Sequence, residues 1–271
     1  MGTDPKRNVK EDAPLTDVNG ISGFMIDMDG TVYKGDDVIP GAPEFVERLM
    51  SRKIPFVFLT NNSSSDRRHY YDKLKKMGFS VSIENILTST TATIQYLKKY
   101  HDGKKVYPLG TEKFTEEIKD AGIRMSKDDA DIVLLAFDTS ITYEKINHAY
   151  RLLKKGAEFV ATHPDDLCPT ENGYDVDIGP FIRFFESMTG TKATVIGKPN
   201  VLMVRMAAER MNVPAEGMVM VGDRLYTDIK MASDAGIRSI MVLTGEAKET
   251  DIKDSGVRPT LIVSSVNDIL K

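Results

Sequence analysis

The sequence contains no tryptophan, one cysteine and no long apolar segment. The single cysteine, Cys168, excludes an intramolecular disulfide and is typical of a reducing compartment. A membrane-spanning helix needs about 20 consecutive apolar residues, whereas Ile132 to Phe137 is among the longest apolar runs here. No Cys/His cluster indicates zinc, and neither Gly-x-Gly-x-x-Gly after a strand nor a Walker A sequence is found. We therefore expect a soluble, cytoplasmic protein with no membrane partner.

The charges of the chain are nearly balanced. Among 271 residues, 36 Lys and Arg oppose 40 Asp and Glu, which gives a formal net charge of -4 and argues against nucleic acid as a partner. The hydrophobic content of 41% is enough for a sizeable core, and the length suits one or two domains. Residues 1–20 are polar and lack the apolar segment of a signal peptide, so we interpret them as an N-terminal extension.

The stretch from Gly23 to Thr31 places an apolar run directly before Asp27 and Asp29. The run is too short for an ordinary helix but suits a buried parallel strand. Because side chains at i and i+2 of a strand point the same way, both carboxylates are expected at the strand's carboxyl end, where open α/β sheets bind ligands. Such a pair favours a hard cation such as Mg²⁺. Alone, the stretch also suits a solvated Asp-Gly turn, and an EF-hand fits poorly because no helix precedes it.

Further strands and helices alternate along the chain at the spacing of βαβ units around a parallel sheet. A polar junction at 101–105 separates two series of this alternation. The sequence therefore predicts an α/β fold with a Rossmann-like parallel sheet core at 21–103 and 179–271. A smaller α/β unit is inserted at 104–178.

Four local predictions concern loops and helix starts. Val32 to Pro43 is predicted to be a loop, as is the Asp-, Pro- and Gly-rich segment His163 to Gly179. Ser63 to Ser65 are candidate N-caps of a helix that runs to about Met77. Another helix is predicted from Asp228 to Ala235.

Four of the predicted strands end in polar residues of complementary chemistry. Together these residues supply carboxylates, a hydroxyl, an amide and a cation. They are the parts of a phosphoryl-transfer site, because that chemistry depends mostly on positioning and charge neutralisation. The four endings are Asp27 with Asp29, Thr60 with Asn61, Lys198, and Asp223 with Asp228.

In these four strand endings, taken in chain order, the sequence resembles the four motifs of the haloacid dehalogenase-like (HAD) hydrolases. The segment Val38-Ile39-Pro40-Gly41-Ala42 is more narrowly similar to the NagD/4-nitrophenylphosphatase subfamily, whose type-II cap lies between the second and third motifs. The resemblance covers about Ile21 to Leu270 and implies a HAD fold in which 104–178 is that cap. The four motifs are Asp-x-Asp-Gly-Thr at 27–31, Leu59-Thr60-Asn61, Gly197-Lys198-Pro199 and Gly222-Asp223-Arg224-x-x-x-Asp228.

The resemblance implies a Mg²⁺-dependent phosphatase that hydrolyses small phosphomonoesters. Asp27 would be the nucleophile that forms an aspartyl-phosphate, and Asp29 the general acid and base. Asp27, Asp29 and Asp223 would be the metal ligands, Asp29 through its backbone carbonyl. Asp228 would either support those ligands or simply stabilise a helix N-terminus.

Thr60, Asn61 and Lys198 are the predicted phosphate-binding residues. Thr60 would donate its hydroxyl and Asn61 its backbone or side-chain N–H groups near a helix start. Helix capping is the favoured explanation of these residues taken alone, and the two roles are compatible. Lys198 would neutralise phosphate oxygens and hold the Asp27 carboxylate, and the alternative is an ordinary exposed lysine. His163 and the loop from Glu171 to Gly179 are candidates for the cap side of the site.

The same residues suit two other functions. A phosphotransferase or mutase would pass the aspartyl-phosphate to another acceptor. The second is a non-catalytic phosphate-binding module. The presence of Asp29 argues against it, because phosphate binding alone needs no general acid. The expected partner is a small phosphorylated metabolite. The sequence leaves the oligomeric state open, and a homodimer is one candidate assembly because members of the resembled family often dimerise through the cap.

Overall fold

The computed structural model describes residues 20–170 and 173–271. Packing divides the chain into two compact units, a first unit of Met1–Phe56 and Ala208–Lys271 and a second unit of Val57–Ala207. These bounds differ from the predicted core and cap boundaries, which stay a prediction. Apart from Gly20, the predicted N-terminal extension lies outside the described residues.

Strands and helices alternate through both units, as the sequence predicts. The strands are β1 (Gly23–Asp27), β2 (Tyr33–Lys34), β3 (Asp37–Val38), β4 (Phe56–Thr60), β5 (Ile86–Thr88), β6 (Val106–Leu109), β7 (Ile132–Leu135), β8 (Glu158–Ala161), β9 (Leu167–Thr170), β10 (Gly173–Val176), β11 (Ala193–Val195), β12 (Met218–Gly222), β13 (Arg238–Val242) and β14 (Leu261–Val263). The α-helices are α1 (Ala42–Ser51), α2 (Arg67–Lys76), α3 (Ser89–Tyr100), α4 (Glu112–Asp120), α5 (Tyr143–Lys154), α6 (Gly179–Thr189), α7 (Leu202–Met211) and α8 (Lys230–Ala235). Short 3₁₀ segments occupy Ile83–Asn85, Ala215–Gly217, Glu249–Lys253 and Val266–Asp268.

The first unit is built on parallel strands in the spatial order β14, β13, β12, β1. Every residue of β1 and β12 is buried, which is why both strands are apolar on both faces. Phe24 of β1 meets Phe45 of α1 edge to face, with ring centroids 6.0 Å apart. Since Ile26 pairs with Val221, the carboxyl ends of β1 and β12 lie side by side.

The second unit contains a parallel sheet in the order β11, β8, β7, β6, and β4 pairs with β5, also in parallel. Its core packs the sheet against α5 and α6, and Phe159 meets Phe185 with ring centroids 5.7 Å apart. The parallel α/β architecture predicted from the sequence is confirmed. Across the described part of the chain, no helix has the length and apolar character needed to span a membrane.

Two segments predicted to be loops contain short antiparallel hairpins. The first pairs β2 with β3 around a turn in which Gly35 has φ 59°, a conformation that favours glycine. The second pairs β9 with β10 inside the segment 163–179. Both loop predictions were wrong because such short strands carry too few residues for an alternating pattern to stand out.

Two helix starts also differ from the prediction. The N-cap of α2 is Asp66, whose carboxylate accepts a hydrogen bond from the backbone N–H of His69 at 2.7 Å, so Ser63 to Ser65 are not its caps. The predicted helix 228–235 is α-helical only from Lys230, because its first two residues belong to a π turn, Leu225–Ile229. A π turn of five residues is too short for its different spacing to stand out in the sequence.

Candidate active site

Three buried carboxylates meet at the carboxyl end of the parallel strands of the first unit. Asp27 ends β1, Asp223 follows β12, and Asp228 lies in the π turn beyond it. Their side chains are 8%, 2% and 0% exposed, and one carboxylate oxygen of each lies within 4.8 Å of the others. We call these three residues the acidic cluster. Like charges at this spacing repel, so the cluster needs a cation or protons to be stable.

Asp223 carries the clearest sign of that electrostatic cost. Burial, and then the negative charges of Asp27 and Asp228, raise its pKa to about 8. The backbone N–H of Glu246 donates to its Oδ2 at 2.7 Å and opposes the shift only in part. Its Oδ1 is buried and has no hydrogen-bond partner within the described residues.

The acidic cluster fits a divalent cation such as Mg²⁺. Hard cations take carboxylate oxygens as ligands, and a bound cation would satisfy Asp223 Oδ1 and relieve the repulsion. Asp27 also accepts a 3.4 Å hydrogen bond at Oδ2 from the hydroxyl of Thr31, which orients its carboxylate. The residues that would hold Mg²⁺ are therefore Asp27 and Asp223, with Asp228 beside them.

Two glycines make room for the Asp223 carboxylate. A Cβ added at Gly30 would lie 2.5 Å from Asp223 Oδ2, and one added at Gly245 would overlap the same carboxylate. Gly30 also has φ 84°, which favours glycine. A hydrogen bond joins the loop that contains Gly30 to the loop that contains Gly245, because the Thr244 hydroxyl donates to the backbone oxygen of Gly30 at 2.6 Å. Sequence reasoning missed this loop after β13, although Thr-Gly after an apolar strand was a usable signal.

Asp228 is held by its own turn. Its Oδ2 accepts a hydrogen bond from the backbone N–H of Arg224 at 3.2 Å, and the carboxylate packs against Gly222, where a Cβ would collide with it. The turn is closed by the N–H of Ile229, which donates to the backbone oxygen of Arg224. A carboxylate oxygen of Asp228 lies within 4.8 Å of one from each of the other two acids, and its part in metal binding stays a prediction.

Asp29 lies one turn beyond β1 and is not a member of the acidic cluster. Its backbone forms an isolated bridge with Tyr33, and the N–H of Gly30 donates to the oxygen of Tyr33 at 2.7 Å. The hairpin of β2 and β3 therefore fixes the backbone around Asp29. Its roles as general acid and base, and as a metal ligand through its backbone carbonyl, stay predictions.

The predicted phosphate-binding residues belong to the second unit. Thr60 is 8% exposed, and its hydroxyl oxygen accepts a 3.2 Å hydrogen bond from the N–H of Asn62, which leaves the hydroxyl hydrogen to point elsewhere. Lys198 is only 3% exposed, which removes the alternative of an ordinary exposed lysine. Both residues are thus part of the folded interior of this unit.

Asn61 binds the backbone of Lys198 with its side chain. Its Nδ2 donates to the Lys198 oxygen at 2.9 Å, and its Oδ1 accepts from the Lys198 N–H at 2.9 Å. Nδ2 also donates to Asp165 Oδ1 at 3.0 Å. Both hydrogens of the amide are therefore directed at protein oxygens, which is against the predicted use of the side chain on phosphate and leaves only the backbone N–H for that role.

His163, a candidate for the cap side of the site, is fully buried. Its Nδ1 lies 2.9 Å from the Thr162 hydroxyl and its Nε2 lies 2.9 Å from Asp177 Oδ1. The ring is therefore held between Thr162 and Asp177, and its place on the cap side of the site stays a prediction. The companion prediction for the loop Glu171 to Gly179 falls partly on residues 171–172, which lie outside the described residues.

Comparison with known proteins identifies the class of this chain. A family model described as haloacid dehalogenase-like hydrolase matches residues 24–124, and a second, HAD-hydrolase-like, matches 195–269. The 5'-nucleotidase YutF of Bacillus subtilis is 32% identical over 246 residues, which are 91% of this chain and 96% of that protein. An acid sugar phosphatase of Staphylococcus epidermidis is 31% identical over 245 residues, 90% of this chain and 95% of that protein.

A solved structure supports the same assignment. The 4-nitrophenylphosphatase of Thermotoga maritima superposes with a TM-score of 0.90 at 38% identity, covering 94% of this chain and 99% of that one. The chain belongs to the haloacid dehalogenase-like hydrolase family. Within that family it is a phosphatase of the NagD/4-nitrophenylphosphatase type, as the sequence motifs predict.

Proposed function

We propose that this protein is a Mg²⁺-dependent phosphatase that hydrolyses small phosphomonoesters through an aspartyl-phosphate on Asp27. The observation that carries the proposal is the acidic cluster, in which the buried Oδ1 of Asp223 has no hydrogen-bond partner within the described residues. An uncompensated group of this kind is costly in a structural core but useful for binding a cation. Bound Mg²⁺ would neutralise charge on the substrate phosphate.

The chain's own residues supply the remaining steps. A carboxylate oxygen of Asp27 attacks phosphorus, the bond to the leaving oxygen breaks, and Asp29 gives that oxygen a proton. Asp29 then takes a proton from water, whose oxygen attacks the phosphoryl group and releases inorganic phosphate with Asp27 restored. Thr60 and Lys198 bind the phosphoryl oxygens through a hydroxyl and an ammonium group.

The proposed substrate class is small phosphorylated metabolites. Relatives that cover most of this chain are named 5'-nucleotidase and acid sugar phosphatase. A panel should therefore contain nucleoside 5'-monophosphates, sugar phosphates and three-carbon phosphates. We propose the cytoplasm as the compartment, as the sequence indicates. A homodimer is one candidate assembly, on the family resemblance alone.

The test is phosphate release from 4-nitrophenyl phosphate and from the panel, with Mg²⁺ and with a chelator. Release that needs Mg²⁺ and no added acceptor is expected, and it separates a phosphatase from a phosphotransferase or mutase. Asp27→Asn should abolish turnover, because an amide oxygen is a poor nucleophile, while the circular dichroism spectrum stays that of the wild type. Full activity in Asp27→Asn would remove Asp27 as the nucleophile.

A further inference from the structure

The amide of Asn61 connects two parts of the second unit that are far apart in sequence. It forms two hydrogen bonds with the backbone of Lys198 and a third with the Asp165 carboxylate. Asn61, Asp165 and Lys198 are 5%, 6% and 3% exposed. The positions of Oδ1 and Nδ2 in the Asn61 amide cannot be exchanged, because the exchange would bring the Nδ2 donor against the Lys198 N–H, which is also a donor. The orientation of Asn61 is thus determined by its partners on both sides.

Asp165 lies at the base of the hairpin formed by β9 and β10. The two sides of that base are joined, because the N–H of Gly179 donates to the Asp165 oxygen at 2.8 Å and the N–H of Asp177 to the Asp166 oxygen at 2.9 Å. The buried His163 contacts the base of the hairpin as well, because its Nε2 lies 2.9 Å from Asp177 Oδ1. That carboxylate oxygen also accepts the N–H of Ile178 at 2.7 Å.

We propose that Asp165 is a positioning residue for Lys198, acting through Asn61, so that the base of the hairpin controls the phosphate affinity of the lysine. The inference rests on the proposed function, in which Lys198 binds phosphate. The physical step is simple. Without the Asp165 carboxylate, one hydrogen of the Asn61 amide is buried without an acceptor, and the amide turns or shifts to satisfy it. The hydrogen bonds from the Asn61 amide to the backbone N–H and the backbone oxygen of Lys198 are then lost.

The first test compares Asp165→Ala with the matched control Asp166→Asn. Asp166 is the next residue of the same loop, but its carboxylate is exposed and pairs with Arg183 at 2.7 Å. Asp165→Ala should raise both the KM for 4-nitrophenyl phosphate and the inhibition constant of inorganic phosphate by about tenfold, because small displacements of a positioned group are costly. The Mg²⁺ concentration for half-maximal activity should not change, since the acidic cluster lies in the first unit. Asp166→Asn should behave as the wild type.

A second test does not depend on activity. Hydrogen exchange measured on peptides that contain Lys198 reports the backbone N–H that Asn61 Oδ1 accepts. Asp165→Ala should exchange faster there than the wild type, and Asp166→Asn should not. A reciprocal exchange of side chains adds a rescue. Asn61→Asp alone sets a carboxylate oxygen against both the Asp165 carboxylate and the Lys198 backbone oxygen and should be the most defective variant. Asn61→Asp with Asp165→Asn removes only the conflict between the two carboxylates, so it should be less defective than Asn61→Asp alone but well short of the wild type.

Several outcomes would overturn the inference. Unchanged exchange at Lys198 in Asp165→Ala would show that Asp165 does not hold Asn61. Faster exchange with wild-type phosphate affinity would show a structural contact without a positioning role. If the wild type neither releases nor binds phosphate, the proposed function fails, while the exchange experiment still decides whether Asp165 and Lys198 are coupled.

Discussion

The Asp223 carboxylate lies directly against the backbone of Gly245, so closely that no side chain fits at position 245. The next residue, Glu246, donates its N–H to Asp223 Oδ2 at 2.7 Å. This loop therefore determines which way Asp223 points, and it leaves Oδ1 available to the acidic cluster. The position of one proposed metal ligand thus depends on a glycine that follows a different strand.

Gly245→Ala should weaken Mg²⁺ binding. The added methyl group must displace the Asp223 carboxylate, so we expect a Mg²⁺ half-saturation at least about tenfold higher, as is usual when the partners of a metal ligand are disturbed. Gly256→Ala is the control, because Gly256 has φ 72° and open space around it, so its substitution adds only backbone strain. Equal Mg²⁺ dependence in the two variants would argue against the role of this loop.

Asp223→Asn should change the thermal response to Mg²⁺. Without Mg²⁺ and above about pH 8, where Asp223 is ionised, the variant should melt no lower than the wild type, because a neutral amide replaces one of three repelling carboxylates. With Mg²⁺ the wild type should gain stability and the variant should not, since a ligand stabilises only the state that binds it. Differential scanning fluorimetry measures both effects. Asp234→Asn, at an exposed pair with Lys230, should retain the full Mg²⁺ response, and a retained response in Asp223→Asn would contradict the assignment.

Glu117 of α4 should make stability depend on pH. Burial, and then the nearby charge of Asp66, raise its pKa to about 7, while Arg67 opposes the shift. Because the pKa in the folded state lies above that of the unfolded chain, the protonated form is favoured by folding. Its contribution is complete below about pH 4.5 and is lost as the pH rises through about 7, at a cost of at most about 3 kcal/mol.

Urea unfolding of the wild type and of Glu117→Gln tests this dependence. The free energy of unfolding of the wild type should fall between about pH 5 and about pH 8, and the glutamine variant should show a smaller fall. Glu116→Gln, at the exposed neighbouring position, should follow the wild type. A wild-type pH profile in Glu117→Gln would exclude Glu117 as the source.

Ser63→Ala should destabilise the second unit. The Ser63 hydroxyl is fully buried and accepts hydrogen bonds from the backbone N–H of Phe137 at 2.9 Å and from the Thr162 hydroxyl at 3.1 Å. Its removal leaves a buried N–H without a partner, which costs about 1–3 kcal/mol. Ser65→Ala should cost less than about 0.5 kcal/mol by the same urea titration. Equal losses would show that Ser63 does not join the ends of β7 and β8.

Much of this architecture could be predicted from local patterns. The apolar runs of β1 and β12 are buried on both faces, and each is followed by an aspartate, so the meeting of Asp27 and Asp223 was predictable from strand polarity alone. The HAD family and its NagD-like subfamily were also predictable, because their motifs are contiguous stretches of sequence. The short hairpins were not, since two to four residues carry too little periodicity.

The sequence by itself determined which strands are buried, where each ends and which charged groups follow, because hydrophobic periodicity and turn chemistry act between near neighbours in the chain. Only the tertiary structure decided that the Asn61 amide holds Lys198 and Asp165, residues 137 and 104 positions away, and that Gly245 makes room for Asp223. Contacts of this kind depend on distances of a few tenths of an ångström between separate segments. No local pattern of residues specifies such distances, and they become defined only when the segments pack.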